Sequence, residues 1–169
     1  NLYGTRLEKF QPALPRREWR QDGSLRILMV TAYYAHKQPG IISEAVRRLN
    51  EDGITAHLTL TTDIEQIEYA PGGSKDAFLL RQGLDRGEVT LLGHVDYANL
   101  PALYAKNDLF VTPSMSETFG HPLIEAMATA TPVIASDISV HREVCGRSAV
   151  FFPGLSVDAL VDAVKMLDR

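Results

Sequence analysis

The segment SETFGHPLIEAMA, residues 116–128, sets two glutamates around a Phe-Gly pair and then takes on helical spacing. Gly120 lets the backbone turn tightly, and Pro122 suits a first helical turn because it has no N–H to leave unpaired. The open N–H groups and positive dipole end of such a helix form a cradle for phosphate. Glu125 is expected in the first turn of that helix. There it either complements the dipole or accepts hydrogen bonds from two adjacent hydroxyls, as on a ribose. Glu117 sits in the preceding loop, either solvated or within reach of a sugar hydroxyl or a developing positive charge.

Outward from this segment, short apolar runs alternate with helical patterns. Residues 1–25 carry Gly, two Pro and many charges without a regular period, and read as a linker or crossover, with Trp19 able to pin it to the body. Residues 26–169 then form one domain. Strands are expected at 26–30, 54–62, 89–95, 109–113, 132–136 and 149–152. Helices are expected at IISEAVRRLNEDG, where Ile42, Ala45, Val46 and Leu49 share a face and Gly53 ends it, and at KDAFLLRQGL after the turn-forming APGGS. Further helices fit ANLPALYAKND, the stretch from about Pro122, SVHREVCG and the amphipathic SVDALVDAVKMLDR. This order predicts an α/β, Rossmann-like, mainly parallel sheet covered by helices on both faces. Ligands of such sheets bind outside the carboxyl ends of the strands, so the segments just after each strand hold the candidates.

Composition narrows the functional classes. With 169 residues, 45% of them hydrophobic, the chain can bury a substantial core. A net charge of −4 argues against a nucleic-acid partner held by phosphate neutralisation. The single Cys145 cannot pair within the chain, and no apolar run approaches the roughly 18 residues of a membrane span. The expected protein has no transmembrane segment and is cytoplasmic, with membrane association of a longer protein left open.

Glu117 and Glu125, with seven residues between them, Phe-Gly in the gap and Glu-Ala-Met-Ala at its end, resemble the signature of the retaining glycosyltransferases of family 4. Residues 93–154 resemble the family's carboxy-terminal donor-binding domain almost throughout. LYGTRLEKFQP resembles the crossover into it, and VTAYYAHKQPGIISEAVRRL its first strand, basic loop and helix. The resemblance is weakest across residues 54–85. It implies the second half of a GT-B fold, which transfers a glycosyl unit from a nucleotide-diphosphate sugar with retention of configuration. It implies no metal and no cofactor, and an acceptor held by an N-terminal domain absent from this chain, so that the chain alone is expected to bind without catalysing.

Carried over by position, the resemblance makes Lys37 a contact of the donor diphosphate. It makes Thr118, Phe119, Gly120 and His121 donors of backbone N–H groups, Glu117 the catalytic contact to the sugar, and Glu125 a contact of the ribose. Two positions depart from the pattern. Ala32 stands where the family usually has an Arg, removing a bidentate phosphate donor. Ala130 stands where it often has a Gly, at a cost of about 1 kcal/mol if the position needs positive φ. A non-catalytic nucleotide-sugar binding module and a sugar-nucleotide epimerase of the same architecture are the alternatives.

Other candidates are weaker. His141, Glu143 and Cys145 lack metal-ligand spacing on a helix, and Cys145 reads as a buried structural residue. Glu143 matches a glutamate common in the family that helps shape the donor pocket. His94 follows the third strand, either near a nucleotide base or as a structural histidine. PGGSK at 71–75 lacks Walker spacing, and neither a Gly-x-Gly-x-x-Gly nor a Gly-x-Ser-x-Gly motif is present.

Overall fold

The computed structural model describes residues 7–10 and 17–168. Six parallel strands, β1 (Leu25–Met29), β2 (Ala56–Leu60), β3 (Val89–Leu91), β4 (Leu109–Thr112), β5 (Val133–Ser136) and β6 (Val150–Phe152), form one sheet in the order β3-β2-β1-β4-β5-β6. The helices are α1 (Pro39–Glu51), α2 (Ile64–Tyr69), α3 (Ser74–Asp85), α4 (Leu100–Ala105), α5 (His121–Ala128), α6 (Ser139–Cys145) and α7 (Val157–Leu167). The Rossmann-like architecture read from the sequence is therefore present.

Burial follows strand position. All residues of β4 and β5 are buried, as a strand covered on both faces requires. β2 alternates buried and partly exposed positions, with Ala56, Leu58 and Leu60 inward. One core layer packs β1 and β2 against Ile42, Val46 and Leu49 of α1, Leu80 of α3 and Val164 of α7. The other gathers Leu28, Phe110 and Ala135 under Tyr104 of α4 and Leu123 of α5. Each fully buried Leu or Ile contributes about 1.5–3 kcal/mol, so a charged residue at Leu109 or Ile27 would break the sheet.

Ala130 does occupy the left-handed region, at φ 54. The N–H of Ala130 donates to Met127 O at 3.0 Å and that of Thr131 to Ala126 O at 2.8 Å. Those two bonds form a Schellman end to α5. The expectation from the family's glycine is met in backbone conformation by a residue that carries a Cβ.

The lead-in is held against the domain over residues 17–24. Arg17 Nε bonds the carboxylate of buried Asp108 at 3.1 Å, and Trp19 Nε1 donates to Asp168 Oδ1 at 2.9 Å. Phe10 is fully buried, edge-on to Tyr97 and Tyr104. The rest of the expected crossover, residues 1–6 and 11–16, lies outside the described residues. Among the described residues no helix is long and apolar enough to cross a membrane.

Candidate functional site

The strand order reverses between β1 and β4, because β2 and β3 lie to one side of β1 while β5 and β6 lie beyond β4. The connections leaving these two strands diverge, which opens a crevice above their carboxyl ends. Lys37 follows β1 and the 116–128 segment follows β4, so topology brings both to the same crevice.

The two loops are joined there. Met115 N–H donates to His36 O at 2.8 Å. Lys37 Nζ lies 2.5 Å from Glu117 Oε1, with side chains only 18% and 13% exposed. Lys37 is thus a half-buried, paired cation and not a solvated loop lysine. Its loop is set by Asp76 of α3, which accepts from Tyr33 Oη at 2.8 Å and from Gly40 N, at the start of α1, at 2.9 Å. A Cβ at Gly40 would meet Asp76 Oδ1 at 2.7 Å, so glycine is required for this approach. Burial pushes the Asp76 carboxyl above its usual range, against the two hydrogen bonds.

Gly120 takes φ 76 as the residue preceding α5, and a Cβ there would meet Leu123 Cδ1 at 2.9 Å. Thr118 and Phe119 are exposed. Among the described residues, the backbone N–H groups of Thr118, Phe119 and Gly120 have no protein acceptor and remain available to a ligand. His121 opens the helix, its ring 4.9 Å from that of Phe119.

Glu125 departs from the sequence expectation in position. α5 begins at His121, which makes Glu125 the fifth helical residue, and the first turn carries no acidic group. Its side chain is buried, and Oε2 accepts from Tyr104 Oη at 2.9 Å. Burial raises the pKa of the Glu125 carboxyl, and the Tyr104 hydrogen bond opposes this.

Two cavities adjoin the crevice. A small one of about 20 Å³ is lined by Thr31, Lys37, Ser114, Glu117, Gly120 and His141. A larger one of about 340 Å³ is lined by Ala32, Thr61, Gln66, His94, Leu100 and Pro122. Its walls are the ends of β1 and β2, helix α2 and the start of α5. His94 is on its wall and exposed to solvent. Gln66 was not read from the sequence, although Asp63-Ile-Glu-Gln66 carries a capping-box spacing that marks α2. Gln66 N donates to Asp63 Oδ1 and Gln66 Nε2 to Asp63 Oδ2, both at 2.8 Å. Glu143 is exposed and lines neither cavity. Cys145 is buried, and its thiol is pushed up to about 11 by burial, in keeping with an inert structural residue.

A parallel doubly wound sheet with a charged pair and an open helix start at its switch point defines a Rossmann-like half of the GT-B type. Solved structures share it at low sequence identity. A glycosyltransferase from Rickettsia africae superposes with a TM-score of 0.77 at 19% identity, covering 96% of this chain and 45% of that one. The C-terminal domain of a glycosyl transferase group 1 family protein (LpcC) from Francisella tularensis gives 0.73 at 19%, covering 98% and 88%. The profile of the family described as "Glycosyl transferases group 1" matches residues 24–168, and the chain belongs to that family. Among curated relatives, the O-antigen chain mannosyltransferase RfbU of Salmonella typhimurium is 47% identical over 84 residues, 50% of this chain and 24% of that protein. A phosphatidyl-myo-inositol mannosyltransferase of Mycobacterium leprae is 38% identical over 110 residues, 63% and 26%. The matched segments thus span about a quarter of these relatives.

Proposed function

We propose that this chain is the donor-binding half of a retaining glycosyltransferase that uses a nucleotide-diphosphate sugar. The observation that carries this reading is the Lys37–Glu117 pair at the switch point, beside the unpaired N–H groups of residues 118–120. An ammonium on a flexible stem is a mobile counter-charge for phosphate, and backbone N–H groups at a helix start bind oxyanions. The base enters the cavity between Gln66, His94 and Pro122, while a ribose contact at Glu125 requires its buried carboxylate to leave Tyr104, since it lines neither cavity.

In this reading the bond between the anomeric carbon and the diphosphate breaks, and negative charge grows on the leaving diphosphate. Lys37 and the 118–120 amides stabilise that charge as it develops. Glu117 faces the transferred sugar, where its carboxylate stabilises oxocarbenium character. The acceptor hydroxyl then bonds to the same face of the anomeric carbon and gives up its proton to the oxygen of the departing diphosphate. Positioning two reactants can account for roughly 7–11 kcal/mol of a barrier. Turnover accordingly depends on an acceptor-holding domain, and this chain by itself binds without turning over.

A binding module without catalysis is the second reading. Ala32, which puts a methyl group on the cavity wall where the family usually has a guanidinium, is the observation that favours it. A product assay with GDP-mannose and UDP-glucose, run on this chain and on a parent carrying an amino-terminal domain, separates the two. Glycosyl transfer by the parent alone supports the enzyme. Tight nucleotide-sugar binding by both with no transfer supports the module. Equal turnover by the isolated chain removes the dependence on a second domain.

A further inference from the structure

His141, on α6, is completely buried, and it lines the small cavity with Lys37 and Glu117. Its Nδ1 lies 2.9 Å from the carbonyl oxygen of Ser136 and 3.2 Å from Ser136 Oγ. The carbonyl can only accept, and Ser136 Oγ already donates its proton to the carbonyl of Ser114. Nδ1 therefore carries the ring proton. Burial also lowers the pKa of the ring, which keeps it neutral, and the effect of Glu117 is opposed by that of Lys37. In this tautomer Nε2 is a bare lone pair that can only accept a hydrogen bond.

Nε2 has no partner, and it is the one buried side-chain polar atom without one among the described residues. Leaving such an acceptor unsatisfied costs about 1–3 kcal/mol, so a buried group of this kind calls for an occupant. The chemistry of the occupant is restricted. A phosphate oxygen at neutral pH is an acceptor and is repelled by the lone pair, whereas a hydroxyl can donate to it. The cavity, about 20 Å³, admits a single group of hydroxyl or water size. Glu117, a second acceptor, lines the same cavity, so two acceptors and one ammonium converge on a space that fits an alcohol.

Building on the donor-binding reading above, we propose that His141 Nε2 accepts a hydrogen bond from a hydroxyl of the transferred sugar. The residue is then a specificity determinant. It senses the sugar and is indifferent to the bare nucleoside diphosphate, in contrast to Lys37. The Ser136 carbonyl acts as the positioning partner that fixes the ring's tautomer.

The test measures affinities of the chain for GDP against GDP-mannose and for UDP against UDP-glucose, by calorimetry. The readout is the ratio of the two Kd values within each pair. In the wild type one sugar conjugate binds more tightly than its diphosphate. His141→Asn, which keeps a donor toward Ser136 but withdraws the distal acceptor, should cut that ratio about tenfold while leaving the Kd of the diphosphate alone. His141→Gln, whose Oε1 reaches toward the Nε2 position, should restore part of it. The 15N resonance of Nε2 in the wild-type chain supplies a readout that does not depend on a variant folding. It should move on adding the sugar conjugate and stay in place on adding the diphosphate. An unchanged ratio in His141→Asn, a ratio of one in the wild type, or an Nε2 resonance that ignores the sugar each overturns the inference while leaving diphosphate binding intact. Failure to bind either diphosphate is a different result, and it sinks the donor-binding reading first.

Discussion

Lys37 Nζ and Glu117 Oε1, eighty positions apart in the chain, form an ion pair of 2.5 Å across the switch point. On the proposed donor-binding reading, the cation that would meet the diphosphate is already held by a carboxylate, so a donor would have to share or displace that contact.

Neutralising that carboxylate should strengthen binding of the bare diphosphate. Glu117→Gln is expected to raise affinity for GDP or UDP roughly tenfold, ~1.4 kcal/mol. Lys37→Ala should lower it by a similar factor with the fold retained. In a parent carrying an amino-terminal domain, Glu117→Gln should still reduce turnover if, as proposed, the carboxylate acts on the sugar during transfer. Calorimetry showing no gain in diphosphate affinity for Glu117→Gln removes the competition. Equal affinity for Lys37→Ala and wild type removes Lys37 from the site.

Donor binding should survive chelation. In the proposed site, Lys37 and the start of α5 would supply the positive potential that a metal otherwise provides to a diphosphate. Calorimetric titrations with and without EDTA should give the same Kd. Loss of binding in EDTA, with recovery on adding magnesium or manganese, would contradict the proposed site.

Ala130 offers a stability test remote from the chemistry. Its φ of 54 is a left-handed conformation that a Cβ disfavours, and the residue is exposed. Ala130→Gly should stabilise the chain by about 1 kcal/mol, ~2–4 °C in Tm for a domain of this size. A lower melting temperature in the variant would show that the added freedom of the unfolded chain outweighs the relieved strain.

Asp76 gives a pH dependence with a defined sign. Burial raises its folded pKa above the unfolded value, so the folded state binds the proton more tightly than the unfolded chain does. Its contribution to stability is fully present below the unfolded pKa and is lost as pH rises through the folded one. Urea unfolding of the wild type and of Asp76→Asn should therefore show the wild type gaining relative to the variant as pH falls from 7 into the acid range. A stability difference that is flat across that range would mean Asp76 is not held above its ordinary value. Asp76→Ala should also weaken diphosphate binding, because it releases Tyr33 and the start of α1 that position Lys37.

The sequence by itself determined the alternation of strands and helices, because period-2 and period-3.6 patterns and the Gly and Pro that interrupt them are local signals. It also determined the tight turn at Gly120 and the Pro inside α5, each a property of a few adjacent residues, whereas the positive φ of Ala130 was raised only as a condition by the family resemblance and is given by the structure. Helix α2 escaped, since six residues show too little periodicity, and its Asp63–Gln66 cap was the signal to read. The register of α5 was misjudged by less than a turn, enough to move Glu125 out of the first turn. Only the tertiary structure decided what the charged groups face. Strand order β3-β2-β1-β4-β5-β6 brings the loops after β1 and β4 together, and nothing local to Lys37 or Glu117 encodes their pairing. The same holds for Tyr104 turning Glu125 inward and for Asp76 clamping the Lys37 loop. His141 shows the limit most plainly. Its sequence neighbours raised only a metal site that the spacing argued against, whereas its tautomer and its unfilled acceptor follow from the carbonyl of Ser136 and a cavity shared with Lys37 and Glu117. Hydrogen-bond partners of buried polar groups are chosen by packing across the fold, and packing is not written in any one segment of the chain.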